Sequence, residues 1–286
     1  MSERTTHTLE VPGAVLRYDV REPEEPGGDR PLFLFGSPMG ASGFEQLAGH
    51  FGDRVVITYD PRGMERSTRT PGGELTAETH AEDYHQVIEA AGLGAVDAFG
   101  SSGGGMCALH WVVAHPRDVH TLVSHEPPLM TLLEDREMAI KVNADIVETY
   151  QRDGYGPAMA KFIQLVRRQS PLTADYLDQP APDPAQLGLP TEDDGSRDDL
   201  LLGGNLAMPP FQPDAHALRG SSVRIVPAIG AEGEGSLARR GGEALAALLG
   251  VTPAVFPGDH GGFAANEWSP NNNPGAFAQK LRQVLA

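Results

Sequence analysis

Cysteine is nearly absent from this 286-residue chain. With Cys107 alone, the protein can form no internal disulfide and no zinc site built from several cysteines. Basic residues are also scarce, since 22 Lys+Arg stand against 39 Asp+Glu and give a formal net charge of −17. This charge argues against electrostatic binding to nucleic acids or to anionic membranes, because both need a basic surface.

Long apolar segments are missing as well. No run approaches the ~20 apolar residues that span a bilayer, and residues 1–11 are polar, without the apolar segment of a secretory signal. We therefore expect a cytoplasmic protein whose partner is a small-molecule substrate, with neither nucleic acid nor membrane involved. A homo-oligomer is compatible with these features.

Short apolar runs rich in branched residues recur along the chain and end at Gly, Pro or Asp. The predicted strands are Val15–Val20, Pro31–Phe35, Arg54–Tyr59, Ala95–Phe99, His120–Ser124, Val223–Ile229 and Pro253–Phe256. The predicted helices between and after them are Thr76–Ala91, Gly104–Ala114, Leu237–Leu249 and Pro274–Leu285. Continuously apolar strands are typical of a parallel sheet covered by helices, so the pattern predicts an α/β protein with a mostly parallel, doubly wound sheet.

One long segment interrupts this alternation. Helical patterns cover Leu129–Asp153 and Pro157–Gln169, and a Pro/Asp/Gly-rich loop follows over Gln179–Asp199. No strand pattern is present there. We predict a helical cap at residues 128–221, inserted into a core domain made of residues 1–127 and 222–286.

A glycine-rich turn follows the predicted strand Ala95–Phe99. Gly100-Ser101-Ser102-Gly103-Gly104 fits the pattern G-x-S-x-G between a strand and a helix, which is typical of a nucleophile elbow. The serine in such a turn adopts strained backbone angles, and the residues two before and two after it must lack a Cβ. The pattern predicts Ser102 as a nucleophile and the N–H of Gly103 as an oxyanion donor.

Two further motifs fit catalysis by a serine nucleophile. Gly36-Ser37-Pro38-Met39-Gly40 follows an early strand, where hydrolases with such an elbow have their second oxyanion donor, and we assign that donor to the N–H of Ser37. His260 follows the last predicted strand, from where a loop histidine can reach the serine as general base. Four other histidines lack this context and are predicted to be structural: His110, His115, His120 and His125.

A rival pattern overlaps the glycine-rich turn. Gly103-x-Gly105-x-x-Ala108 fits the dinucleotide fingerprint G-x-G-x-x-G/A, and Glu126 follows about 20 residues later, as a ribose-binding acid would. That fingerprint usually follows the first strand of its unit, whereas several strands precede Gly103 here. A nucleotide-binding oxidoreductase is therefore an alternative that leaves the motifs at Ser37 and His260 unexplained.

Together with Asp60-Pro61-Arg62-Gly63-Met64-Glu65-Arg66-Ser67, these motifs resemble the α/β-hydrolase superfamily from about Val11 to the end of the chain. Within it, Ser102 and Ser124-His125-Glu126-Pro127-Pro128 are similar to the zearalenone-lactone hydrolases and related actinobacterial hydrolases. Many relatives have His-Gly where this chain has Phe35-Gly36. The resemblance implies an α/β-hydrolase fold.

Two carboxylates compete for the third position of the triad, which must hydrogen-bond the histidine ring. Glu126 ends a buried strand and is braced by two prolines, so its carboxylate needs a partner such as a histidine. Glu232 occupies the commoner superfamily position, but within a glycine-rich run. The resemblance to the lactone hydrolases favours Glu126, with Glu232 as the alternative and Asp259 behind both.

The resulting hypothesis is a serine hydrolase that needs no cofactor and no metal. It cleaves a carboxylic ester or lactone of a small-to-medium apolar substrate through an acyl-enzyme. The same triad serves carbon–carbon bond hydrolases and cofactor-free perhydrolases, which remain alternatives. Candidate residues of an apolar substrate pocket are Phe35, Met39, Met106, Met130, Leu133, Met208 and Phe211.

Overall fold

The protein forms one nine-stranded sheet, seen here in a computed structural model that describes residues 4–23, 27–73, 75–265, 269 and 272–286. The strands are β1 (Arg4–Val11), β2 (Ala14–Arg21), β3 (Leu32–Ser37), β4 (Val56–Asp60), β5 (Thr68–Arg69), β6 (Val96–Ser102), β7 (Val119–His125), β8 (Arg224–Gly230) and β9 (Ala254–Phe256). Their order across the sheet is β1-β2-β4-β3-β6-β7-β8-β9, with the short β5 paired to β2.

The sheet is parallel from β4 to β9, and the pairs β1–β2 and β2–β4 are antiparallel. This confirms the predicted mostly parallel sheet, and all seven predicted strands are present. Because the parallel strands share one direction, their carboxyl ends lie along the same edge. That edge carries Ser37, Ser102 and His125 at the ends of β3, β6 and β7.

The sequence did not predict β1. This strand lies at the edge of the sheet, where it pairs with β2, and all eight of its residues are exposed or half-buried. An exposed edge strand needs no apolar run, so its polar sequence carries no signal of the kind that identified the buried strands.

Eight α-helices lie in the described residues. They are α1 (Glu45–Ala48), α2 (Ala77–Ala91), α3 (Gly103–Ala114), α4 (Arg136–Asp153), α5 (Tyr155–Val166), α6 (Ala215–Gly220), α7 (Leu237–Leu249) and α8 (Pro274–Leu285). The four predicted helices around the sheet agree with α2, α3, α7 and α8 to within one residue. For α2 the reason is local: the Thr76 hydroxyl accepts a hydrogen bond from the N–H of Thr79, and Gly92 ends the helix at φ +67°.

Helices cover both faces of the sheet, and the alternation of side chains along β3 shows how. Phe33 and Phe35 pack on the face covered by α2 and α3, whereas Leu32 and Leu34 pack on the face covered by α1 and α8. All four side chains are fully buried. A strand buried on both faces reads as a continuous apolar run, which is why β3 could be predicted from sequence.

The segment between β7 and β8 contains helices but no strand, and all of its residues are described. Its helices α4 and α5 pack with Leu202 into a separate apolar cluster. The predicted helix Leu129–Asp153 begins late, because residues 130–132 form a 3₁₀ turn before α4. A single turn of π-helix, Leu200–Asn205, was not predicted. The division at residues 128 and 221 stays a prediction.

None of the helices among the described residues is both long enough and apolar enough to cross a membrane.

Candidate active site

Ser102 lies where β6 passes into α3, and its backbone is strained. It precedes the first helical residue, Gly103, with φ +55° and ψ −129°, a region that residues other than glycine rarely adopt. The side chain is half-buried, unlike the fully buried strand behind it. This is the strand-to-helix turn that the sequence predicts.

Glycine is required at both predicted positions around Ser102. A Cβ at Gly100 would lie 2.9 Å from the ring of Phe35, and a Cβ at Gly104 would lie 2.8 Å from the Cα of Gly36. Both distances are shorter than Cβ contacts in proteins, and at Gly104 the obstacle is backbone that has no free rotation. The end of β3 can therefore approach the start of α3 this closely only because residue 104 has no Cβ.

Ser37 lies beside Ser102. The two residues are register partners in the neighbouring parallel strands β3 and β6. Ser37 is buried, and its carbonyl oxygen lies so close to Gly103 that a Cβ there would meet it at 2.6 Å. The structure thus brings both predicted oxyanion residues, Ser37 and Gly103, to the position of Ser102.

Asn205 was missed by the sequence analysis. It is the last residue of the π-helix in the inserted segment, and its Nδ2 donates a hydrogen bond to the Ser37 Oγ at 2.8 Å. The same amide lies 3.1 Å from the place that a Cβ on Gly103 would take. No local pattern could have found it, because Asn205 and Ser37 are 168 residues apart in the chain.

Glu126 and His260 are joined by a hydrogen bond. The Nδ1 of His260 lies 2.7 Å from Oε2 of Glu126, and Oε1 of the same carboxylate accepts the N–H of Gly230 at 2.8 Å. Glu126 is 1% exposed and has a positive φ of 45°. Its predecessor, His125, pairs with Ser101 across β6 and β7, which puts Glu126 next to Ser102 at the same edge.

The charge state of Glu126 follows from these contacts. Burial alone would raise the pKa of its carboxyl, but the hydrogen bond from His260, the two nearby imidazoles and the N–H of Gly230 hold the pKa below its usual value. The carboxylate is therefore ionised at neutral pH and can only accept hydrogen bonds. His260 must then carry a proton on Nδ1, which leaves Nε2 as its basic nitrogen.

The other two candidate acids do not bind the ring of His260. Glu232 is exposed, and its backbone N–H bonds to the carbonyl of Gly258 at 3.0 Å. The carboxylate of Asp259 accepts hydrogen bonds from the backbone of Gly261 and the side chain of Asn272, and so fixes its own loop. Glu126 is thus the carboxylate that the structure brings to His260.

His125 lies behind this pair in an apolar cage. It is fully buried, and neither ring nitrogen has a hydrogen-bond partner among the described residues. Burial, opposed by the nearby Glu126, lowers the pKa of His125 to about 4, so the ring is neutral at physiological pH. Its ring neighbours are Phe99, Phe256, Phe263, Phe277 and His260.

The turn after β4 supports the site from one side. Asp60 is fully buried and accepts hydrogen bonds from the N–H of Ala41 at 2.8 Å and from Nε of Arg66 at 2.6 Å. Arg62 makes two hydrogen bonds to Asp83 on α2. Arg62 thus holds the turn after β4 to α2, and Asp60 anchors the chain that follows the Ser37 turn.

The seven predicted pocket residues lie in different places. Phe35 is fully buried against Tyr84 and Trp111 in the aromatic core, so the prediction that it lines a substrate pocket is wrong: no part of its surface is open to a ligand. Phe211 borders a cavity of about 400 Å³ near the far half of α3, away from Ser102. The other five pack in three separate clusters: Met39, Met106, Met130, Leu133 and Met208.

A family model described as alpha/beta hydrolase fold matches residues 32–199, which is more than half of the chain. The chain belongs to the α/β-hydrolase family. It is 29% identical over 260 residues to an uncharacterized hydrolase of Bacillus subtilis (strain 168), YraK, covering 90% of this chain and 89% of that protein. Membership of this family and the similarity to YraK identify the chain as a hydrolase, without specifying its substrate.

Solved structures share the α/β-hydrolase fold over nearly the whole chain. A thermophilic esterase from Thermogutta terrifontis has a TM-score of 0.64 at 20% identity, with 99% of this chain and 98% of that chain covered. The enol-lactonase from Burkholderia xenovorans LB400 has a TM-score of 0.65 at 18% identity, covering 98% and 99%. Identities this low establish a common fold and leave the substrate open.

His125 predicts a pH dependence of stability in this α/β hydrolase. Between pH 6.5, its usual pKa, and about pH 4, the unfolded chain binds a proton that the native His125 does not. Because the unfolded state binds more protons, the free energy of unfolding rises with pH across this window, by up to ~1.4 kcal/mol per pH unit. His125→Phe, measured by urea unfolding at several pH values, should reduce the slope by that amount. If His125→Phe left the slope of the unfolding free energy against pH unchanged, the buried His125 ring would not be neutral. The substitution of the exposed His50, His50→Phe, serves as the control.

The Asn205–Ser37 hydrogen bond predicts an energetic coupling between the inserted segment and the sheet. Ser37→Ala and Asn205→Ala each remove one partner and leave the backbone N–H of Ser37 in place. We expect the double variant to lose ~1 kcal/mol less unfolding free energy than the sum of the two single losses. Strictly additive losses in chemical denaturation would show that the two side chains do not bond in solution.

Proposed function

We propose that this protein is a serine hydrolase with Ser102 as nucleophile, His260 as general base and Glu126 as the acid that orients it. The observation that carries the proposal is the hydrogen bond from His260 to the buried, ionised Glu126, at the sheet edge that also carries the strained Ser102. A histidine held through Nδ1 by a carboxylate presents a basic Nε2, which a serine nucleophile requires.

The mechanism follows from these roles. Nε2 of His260 removes the proton from the Ser102 hydroxyl while Oγ attacks the carbonyl carbon of the substrate. The backbone N–H groups of Gly103 and Ser37 bind the oxyanion that develops, and the start of α3 adds its favourable dipole. The imidazolium then gives its proton to the leaving alcohol oxygen, which forms an acyl-enzyme. Water activated by His260 releases the acid and restores Ser102.

Carboxylic esters and lactones are the substrate class that we propose. The names of the esterase and enol-lactonase with the same fold support it, as does the resemblance of the Ser102 and Glu126 motifs to lactone hydrolases. The segment from β7 to β8, which brings Asn205 to Ser37, would restrict the site to small or medium substrates. Carbon–carbon bond hydrolysis and perhydrolysis use the same residues, and comparing ester, β-diketone and peroxide substrates distinguishes them.

The oxidoreductase alternative has no support in the contacts of Glu126. Both oxygens of its carboxylate are engaged by His260 and Gly230, and the residue is buried, so it cannot bind a ribose as the dinucleotide fingerprint requires.

Replacing the nucleophile tests the mechanism directly. Ser102→Ala should lower kcat for p-nitrophenyl acetate and butyrate by at least ~10³-fold, because the acyl-enzyme can no longer form. The variant should also lose labelling by a fluorophosphonate probe, read by intact-protein mass. Ser101→Ala is the matched control, since it removes the hydroxyl of the buried neighbour and should keep the labelling. Ester hydrolysis by Ser102→Ala at the wild-type rate would reject the proposal.

The choice of acid has its own test. Glu126→Gln would replace the carboxylate by an amide that can donate to Nδ1, so that Nε2 carries the proton and cannot accept one from Ser102. We expect a loss of kcat of ~10³–10⁴-fold, with a change below twofold for the exposed Glu232→Gln. Melting temperatures show whether each variant is folded. Equal losses in two folded variants would show that Glu126 is not the acid.

A further inference from the structure

A second group of polar side chains lies at the opposite end of the sheet. Asp118 precedes the first residue of β7, whereas Glu126 follows its last, so the two are separated by the length of a seven-residue strand, roughly 20 Å. His85 on α2 and His115 at the end of α3 meet Asp118 there. The proposed catalytic mechanism uses none of these three residues.

Each imidazole of this group is paired with one carboxylate. Nδ1 of His85 lies 2.8 Å from Oδ2 of Asp118, and Nε2 of His115 lies 3.2 Å from Oε2 of Glu82. The two rings stack with centroids 3.8 Å apart and planes 8° from parallel. One ligand atom from each of His85, His115 and Asp118 lies within 4.8 Å of the others. Glu82 and His85 are one turn apart on α2, so both face α3.

We propose that His85, His115 and Asp118 bind one divalent transition-metal ion such as Zn²⁺, with Glu82 as a fourth ligand. Two imidazoles and carboxylates form a donor set of intermediate softness, which suits Zn²⁺ rather than Mg²⁺ or Ca²⁺. The strongly negative net charge of the protein also favours the approach of a cation.

Metal binding requires a small, specific rearrangement. A zinc ion lies ~2.0–2.2 Å from nitrogen and oxygen ligands and in the plane of each imidazole. Two parallel stacked rings cannot both meet this condition, so one ring must tilt. His115 can do so, because its side chain is 25% exposed and borders a cavity of about 680 Å³ that His85 and Asp118 also line.

Asp118 is positioned before any ion binds. Nε1 of Trp111 donates to its Oδ2 at 2.9 Å, its backbone N–H bonds to the carbonyl of His115, and its carbonyl accepts the N–H of Val96. Partners that orient a ligating carboxylate in this way commonly strengthen metal binding. The ion would join α2, the end of α3 and the start of β7, and thus act as a structural clamp.

Calorimetric titration of tag-free, chelator-treated full-length protein with ZnCl₂ tests the proposal. We expect one equivalent of tight binding in the wild type and at least ~10-fold weaker binding in His85→Ala and in His115→Ala. His120→Ala is the matched control, because His120 is also paired with a carboxylate, Asp97, at 3.3 Å. It should bind zinc like the wild type, and so should Ser102→Ala, which separates this site from the proposed catalytic one.

Two further measurements keep the result interpretable. Melting temperatures of the apo variants establish whether they are folded. If His115→Ala is not folded, His115→Gln and Glu82→Gln replace it. Zinc at ~100-fold over Kd should raise the melting temperature of the wild type by roughly 5 °C. The Co²⁺ form should show visible d–d absorption without thiolate bands, because Cys107 is buried. Equal zinc affinity in the wild type and the folded His variants, or no binding by the wild type, overturns the proposal.

Discussion

The site depends on keeping one ionised carboxylate, that of Glu126, inside the protein. A buried charge is costly unless each oxygen has a partner, and here Gly230 and His260 supply one each. The backbone of Glu126 is held at φ 45° and that of Ser102 at φ 55°, at the ends of adjacent strands. Conformations of this kind persist only where the surroundings enforce them, and the central parallel strands β6 and β7, buried along most of their length, provide that rigid support.

Close backbone approach is the second constraint, and it brings the end of β3 against the start of α3. The start of α3 lies against the end of β3 because Gly104 faces Gly36 without a Cβ between them. A residue larger than glycine at position 104 would push the N–H of Gly103 away from Ser37. The glycines of this sequence therefore act in two ways: they permit the strained turn at Ser102, and they bring Gly103 of α3 close to Ser37 of β3, the two oxyanion donors of the proposed mechanism.

Elements with a local sequence signal could be predicted, whereas contacts between residues distant in the chain could not. Buried parallel strands have continuous apolar runs and the turn at Ser102 has its glycines, so both were found, whereas the exposed edge strand β1 has neither. Asn205 and the pair His85–His115 could not be found, because their partners lie far away in the chain. Phe35 was assigned to the substrate pocket because the continuous apolar run of a buried strand does not show which side chains face the core. The choice between Glu126 and Glu232 needed the position of the His260 ring.

In the proposed function, substrate selection would fall to residues outside the sheet, in the segment between β7 and β8. The segment between β7 and β8 has its own apolar cluster, built from α4, α5 and Leu202, and Asn205 joins it by a hydrogen bond to Ser37 at the carboxyl edge of the sheet. Because this cluster is separate from the two clusters that pack on the sheet, substitutions within it would leave the sheet that holds Glu126 in place. The thermophilic esterase and the enol-lactonase each share the fold with this chain at 18–20% identity, so the fold leaves the substrate open and the proposed ester or lactone specificity must be tested with substrates.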